Sequence, residues 1–299
     1  MKIAYVLSIG LLASSYLQAG AGGLEISQAC VAEGCFAGDS EGWPIQITEG
    51  GSYFLSSNLE VLDPSITAIS ITAPNVALDL RGFSIKGPTQ CTGEPVECVP
   101  SGNGRGISGE VVGVNVFNGQ IRGFPGYIVI LGKNSRVSEL LVSDGLFGIA
   151  AEFGSVVNRS FVENTRFGIG VDGMVSDSTV TRTHQTAVQG ATIIRNSYIG
   201  ENRGIGIYLG TAALIEGNRI SNNVHGIIVE SLGANLIDNV IDGNSSIGIW
   251  LTDGASAALS GNSLVENAGS NDAQQTWIQG DAVLLETGLN LCGTNSSCQ

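Results

Sequence analysis

Between Thr192 and Trp250 one motif is written three times, as TIIRNSYIGENRGIGIYLG, ALIEGNRISNNVHGIIVES and NLIDNVIDGNSSIGIW. Each copy carries an Asn, a short apolar strand, a second Asn and a Gly-Ile strand. Gly206, Gly226 and Gly248 mark one point of the motif at spacings of 20 and 22, and Asn202, Asn223 and Asn244 recur every 21 residues. A unit this small cannot bury an apolar face alone. Successive copies must therefore stack, and a period near 20 made of β-type segments predicts a solenoid. With 43 Gly and only 13% charged residues among 299, the chain is apolar enough for a core and too rich in glycine for a helical protein.

The register extends backwards. Gly106, Gly126, Gly148, Gly168, Ala187, Gly206, Gly226 and Gly248 fall at intervals of 20, 22, 20, 19, 19, 20 and 22, one per coil. Ile149 and Ala151, Ile169 and Val171, Ile207 and Leu209, Ile227 and Val229, and Ile249 and Leu251 alternate after them, which assigns these residues to the inner face. Asn158, Asn196, Asn218, Asn239 and Asn262 recur at turns. Asn tolerates left-handed dihedrals and bonds its neighbours, so they are expected to form a structural ladder. The coils span residues 45–290 as about ten to eleven turns, a rod of about 50 Å at ~4.8 Å per coil. Residues 22–44, with a potential helical turn around Ile26 to Ala32, read as an N-terminal cap. Residues 87–105 interrupt the rhythm with Pro88, Pro95, Pro100 and two cysteines, and are expected to stand out from one coil as a loop. Residues 291–299 close the other end.

Residues 1–21 have the order of a secretory signal: Lys2, an apolar run from Ile3 to Leu12, then small residues up to Ala19 and Ala21. The apolar run is well short of the roughly 20 residues that a membrane span requires. Six cysteines follow as three near neighbours, Cys30 with Cys35, Cys91 with Cys98 and Cys292 with Cys298. Local pairing is the simplest of the fifteen connectivities. Tight His and Cys spacing, the mark of a metal site, is missing, since neither His lies near a Cys. Disulfides and export agree on an oxidising compartment, secreted, periplasmic or at the cell surface. The net charge of −14 argues against nucleic acid and anionic membranes as partners. No membrane insertion is expected after signal cleavage.

The N-x-I-x-x-N and G-I repeats resemble the parallel β-helix repeats of the pectate-lyase-like superfamily, which includes pectate lyases, polygalacturonases, alginate epimerases and periplasmic NosD-type proteins. The resemblance implies an all-β, right-handed, single-stranded parallel β-helix over roughly 45–290. It implies polysaccharide or glycan as the partner, either through carbohydrate-active lyase or hydrolase chemistry or through a non-enzymatic envelope or surface role. No active-site motif of these enzymes transfers. The Asp-Asp pair of polygalacturonases has no counterpart, His225 stands in VHGI, Arg219 in RIS, and Asp63-Pro64-Ser65 departs from the epimerase Asp-Pro-His-Asp. One scaffold hosts many sites.

Two places depart from the repeat. In the coil from Met174 to Gly190, Ala187 replaces the Gly, Asp177 and Thr183 replace the ladder Asn, and His184 appears. Aligned by the Gly position, Glu163, Arg182 and Glu201 fall in one column and Thr165, His184 and Arg203 in another, with Arg166 close by. Glu163, Arg182, His184 and Asp177 are the candidate catalytic set for acid and base steps on a sugar, with Arg166 and Arg203 to orient an anionic group. A charge ladder across neighbouring strands accounts for the same pattern. The second place is an outward row in which Tyr208, Ile228 and Trp250 form an exposed apolar stripe flanked by Glu152, Asp172 and Glu230, suited to stacking on sugar rings. No cofactor is implied, although calcium is open through Asp172, Asp177 or Asp253.

Overall fold

A computed structural model describes residues 23–93, 97–267, 275–293 and 298; the proposed signal segment, 1–21, lies outside them. The alternation of apolar and polar residues over runs of three to five becomes strands that each bury every second side chain, and Gly, Asn and Asp at the ends of those runs become corners. The result is a parallel β-solenoid of about ten turns, with one disulfide near each end. Among the described residues no helix is long and apolar enough to cross a membrane.

Each coil has three strands, and strands of successive coils pair in parallel to form three faces. On the first face, Ile107, Val129, Ile149, Ile169, Val188, Ile207, Ile227 and Ile249 stack in register. The second face contributes the inner column Val137, Val157, Val175, Ile194, Ile215, Leu236 and Leu259, and the third contributes Val142, Val162, Val180, Ile199, Ile220, Ile241 and Leu264, all of them buried. In the middle of the rod the strands run through the corners without a break, over Asn115–Leu131, Arg136–Asn158 and Phe161–Ser176. The inward assignment of the alternating Ile, Val and Leu positions is correct.

The finer register differs from the sequence expectation in three ways. Ile128, not Gly126, shares a column with Gly106 and Gly148, because Ile107 pairs with Val129 and Val129 with Ile149. The next coil makes room for that Ile, since a Cβ on Gly145 would come within 2.8 Å of the Ile128 side chain. Second, Asn158 and Asn196 are not ladder residues. The ladder at the corner between the second and third faces runs through Ser160, Ser178, Ser197, Asn218, Asn239, Asn262 and Asn290. Asn196 and Asp177, like Glu139 and Arg159, are the left-handed residues just before it, with φ of 50°, 50°, 56° and 46°. Asp177 therefore does not replace a ladder Asn; Ser178 holds that place. A second ladder, Asn202, Asn223, Asn244 and Asn267, lies at the corner between the third and first faces. It ends at Thr183, whose N–H and hydroxyl both donate to Asn202 Oδ1 at 2.9 Å.

Third, the loop within 87–105 does not stand out. Gln90–Thr92 and Glu97–Val99 form an antiparallel hairpin closed by the Cys91–Cys98 disulfide, and the hairpin lies along the corner between the third and first faces. Asn164 Nδ2 donates to the Cys91 carbonyl at 2.9 Å and to Asp144 Oδ1 at 2.7 Å, and Arg203 Nη1 donates to the Gly93 carbonyl at 3.1 Å. The other two disulfides also join the expected neighbours. At the N-terminus, Leu24–Ile26 is a strand that pairs with Tyr53 to Leu55, and only Cys30–Ala32 turns as a short 3-10 helix. The cap thus continues the sheet instead of laying a helix over it.

Candidate functional site

The in-register pairing of Tyr127, Phe147 and Phe167 stacks their rings along the rod. Centroids are 4.4 and 4.7 Å apart with planes within 12° and 9° of parallel. Aromatic side chains at matching positions of neighbouring parallel strands are held at the coil spacing of about 4.8 Å, which is also a favourable stacking distance. Three residues after Phe147 and Phe167 the outward position holds Ala150 and Gly170, so the sheet is left bare beside those rings. A groove of about 440 Å³ results. The aromatic column is one wall and Ala150 and Gly170 are the floor, with Asp172, Gln189 and Tyr208 at the far side and end. Tyr208 donates a short hydrogen bond to Glu230, and that bond raises the phenol above its ordinary pKa, with burial adding to it. The hydroxyl therefore stays protonated at neutral pH.

Cations border the column. The Arg105 guanidinium sits 5.6 Å from the Tyr127 ring centroid and is held by Glu110 and Ser108 at 2.7 and 3.0 Å. Arg166 sits 5.9 Å from the Phe167 centroid, and with the Gln185 amide turned oxygen-first toward it, its Nε and Nη2 donate at 3.2 and 2.9 Å.

Of the expected sugar-contact residues, Asp172 and Tyr208 line this groove, Glu230 accepts from Tyr208, and Arg166 borders it. Trp250 lies two coils beyond Tyr208, stacked on Trp277 at 5.1 Å and 10° and donating to Gln279 at 3.3 Å. Ile228 interrupts the stripe, because only 5% of it is exposed. The outward row is thus two platforms and not one band. Arg203 is engaged with the hairpin. Tyr127, Phe147, Phe167 and Gln189 were not among the expected contacts. The signal was a bulky aromatic in consecutive coils just ahead of two small outward residues; Phe147 and Phe167 align by the Gly position alone, and Tyr127 joins them only once its coil is shifted by two residues.

The candidate catalytic set separates. Glu163 and Arg182 form an ion pair, although Glu163 registers with Thr181, one residue before Arg182. Thr165 belongs to the column of Thr183. His184 aligns with Arg166 and Arg203, as its backbone N–H donates to the Thr165 carbonyl and that of Arg203 to the Thr183 carbonyl. Asp177 is at the opposite corner of the same coil, separated from the others by the strand Thr179–Thr181. Asp172, Asp177 and Asp253 also lie apart. Asp172 and Asp253 end first-face strands four coils from each other, and Asp253 accepts the Asp281 backbone N–H at 2.9 Å.

The family model described as periplasmic copper-binding protein (NosD) matches residues 101–294, about two thirds of the sequence. The chain belongs to that family. Among solved structures it is similar to the Dettilon tailspike protein, with a TM-score of 0.57 and 14% identity over 79% of this chain, and it spans 59% of that one. It is also similar to the Azotobacter vinelandii mannuronan C-5 epimerase AlgE6 A-module, with a TM-score of 0.51 and 16% identity, covering 79% of this chain and 71% of the other. At such identities the likeness is one of fold. No curated protein matches the sequence.

The donor set of this NosD-family chain does not suit copper, which favours thiolate, thioether and imidazole ligands. All six cysteines are in disulfides. The two histidines lie at different places, His184 at the hairpin corner and His225 in a column with Ile205 and Ile247 beside Trp250. No group of three His, Cys, Asp or Glu able to hold a metal occurs among the described residues.

Proposed function

We propose that the chain is an exported glycan-binding protein and that the first-face groove receives the sugar. The observation that carries this is the aromatic column beside a bare floor. Tyr127, Phe147 and Phe167 present an apolar wall against which the C–H face of a pyranose packs, while Asp172, Gln189 and Tyr208 offer acceptors and donors for its hydroxyls. Membership of a family described as periplasmic fits the N-terminal signal. The tailspike and epimerase folds support a solenoid as a scaffold for polymer contact.

Binding fits the groove better than hydrolysis. Glycoside cleavage by the usual route needs two carboxyl groups flanking the bond, and the groove lining supplies Asp172 alone. Glu163 is engaged by Arg182 at a corner beside the docked hairpin, where a cross-strand ion pair is sufficient reason for both residues. A glycan array followed by calorimetric titration tests the reading. A ligand should emerge whose affinity falls about tenfold in Phe147→Ala, the scale expected for one lost stacking contact plus its buried area. Absence of any glycan ligand, or one indifferent to both Phe147→Ala and Tyr208→Ala, would sink it.

A further inference from the structure

We infer that the glycan this groove takes is uncharged, not a polyuronate. The inference rests on the glycan reading above and concerns the charges around the same groove. Asp172 lines it and is exposed. Glu152, also exposed, follows Ala151 in the preceding coil as Asp172 follows Val171, and Ala151 and Val171 are paired. Glu230 stands behind Tyr208 at the end of the groove. Asp172 is thus the carboxylate that lines the groove, with Glu230 held by Tyr208 at its end and Glu152 exposed in the preceding coil. Among the described residues no ion pair joins Asp172, Glu152 or Glu230 to a cation.

The cations nearby are differently placed. Arg105 is neutralised by Glu110, and Arg166 lies over the Phe167 ring, 5.9 Å from its centroid, hydrogen-bonded to the Gln185 amide. Neither is among the residues that line the groove. A uronate stacked on the rings would bring one carboxylate per sugar toward Asp172, in a protein of net charge −14, with no cation among the residues that line the groove to receive it. Like charges within a few ångströms oppose binding, increasingly so as water is displaced. A neutral sugar meets the same groups as hydrogen-bond acceptors for its hydroxyls, and the Gln189 amide both donates and accepts.

Titration of the mature protein with neutral oligosaccharides (gluco-, xylo- and manno-hexaoses) and with oligomannuronate and oligogalacturonate, at low and high salt, decides the point. Neutral ligands should bind with affinities that hardly change with salt, and uronates about tenfold more weakly or worse at low salt. Asp172→Asn should narrow the gap by raising uronate binding relative to neutral binding. If uronates bind better than neutral sugars, and Phe147→Ala weakens them, the groove reading stands and the uncharged-ligand inference is wrong. If neither class binds, the groove reading itself fails and takes the inference with it.

Discussion

The rod contains two kinds of solenoid. From Asn202 to Asn267 both ladders are asparagine, and each side chain is consumed by the scaffold. Asn223, for instance, donates from Nδ2 to Asn244 Oδ1 at 3.0 Å and to the Ile199 carbonyl at 3.1 Å, while its Oδ1 accepts from the N–H and Nδ2 of Asn202 at 3.3 and 2.8 Å. From Gly106 to Gly190 the ladder is serine. Ser160 and Ser178 each take one backbone N–H, from Leu140 and Ser160 respectively, and return a hydroxyl bond to a carbonyl two residues back in their own strands. At the other corner, between the third and first faces, Asp144 and Asn164 seat the hairpin, and the first face carries the aromatic wall with its bare floor. Regularity fixes the frame, and departures from it accumulate where something else has to be contacted.

The contrast is sharpest in stability. Asn223→Ala removes the partner of the Ile199 carbonyl and of buried donors on Asn202, so about 3 kcal/mol or more should be lost in urea unfolding, from buried groups left without partners. Ser178→Ala removes the bonds of one hydroxyl and should cost about 1 kcal/mol. Equal losses would mean that the two ladders do the same work and that the comparison fails. Next in size is the hairpin. Opening the Cys91–Cys98 loop by a double change to Ser forfeits about 2 to 2.5 kcal/mol on the chain-entropy model. Because the hairpin is a separate two-stranded sheet that shares no ladder with the coils, limited proteolysis should report the change locally, at residues 89–100, before the coils respond. A uniform destabilisation of all coils would show the hairpin to be integral to the rod.

The difference between the regions also explains what was legible in the sequence. Period, strand alternation and disulfide pairing are local patterns and read directly. The ladder was displaced because a left-handed corner residue and a ladder residue are near neighbours and Asn suits both. Asn196 is a corner and Asn218 is a ladder rung, a distinction that only the register makes. Gly126 fell in the wrong column for the same reason, its coil being shifted by two residues. The groove was hidden because that shift removed Tyr127 from the column of Phe147 and Phe167, whose rings touch only through coil stacking. In the candidate catalytic set, Arg182 and Asp177 occupy corners with left-handed φ, 52° and 50°, a backbone requirement that the sequence alone does not distinguish from a chemical one.

A smaller effect separates the two regions by pH. In the column of Tyr127, Phe147 and Phe167, the asparagine-laddered half puts Ile205, His225 and Ile247, with the His225 ring 5.7 Å from the Trp250 ring. Apolar neighbours disfavour the imidazolium, and burial lowers the His225 pKa from its ordinary 6.5. With the folded value below the unfolded one, the unfolded chain takes up the proton first as the solution is acidified. The contribution is thus complete above about pH 6.5 and is lost as pH falls from there through the folded value. Replacing the imidazole by a ring that cannot titrate, as in His225→Phe, should flatten that part of the stability profile while adding one more ring to the column. Urea midpoints of the two proteins between pH 7.5 and 5 should therefore diverge on acidification, the native chain falling faster. Parallel curves would place His225 in water and end its comparison with the aromatic wall.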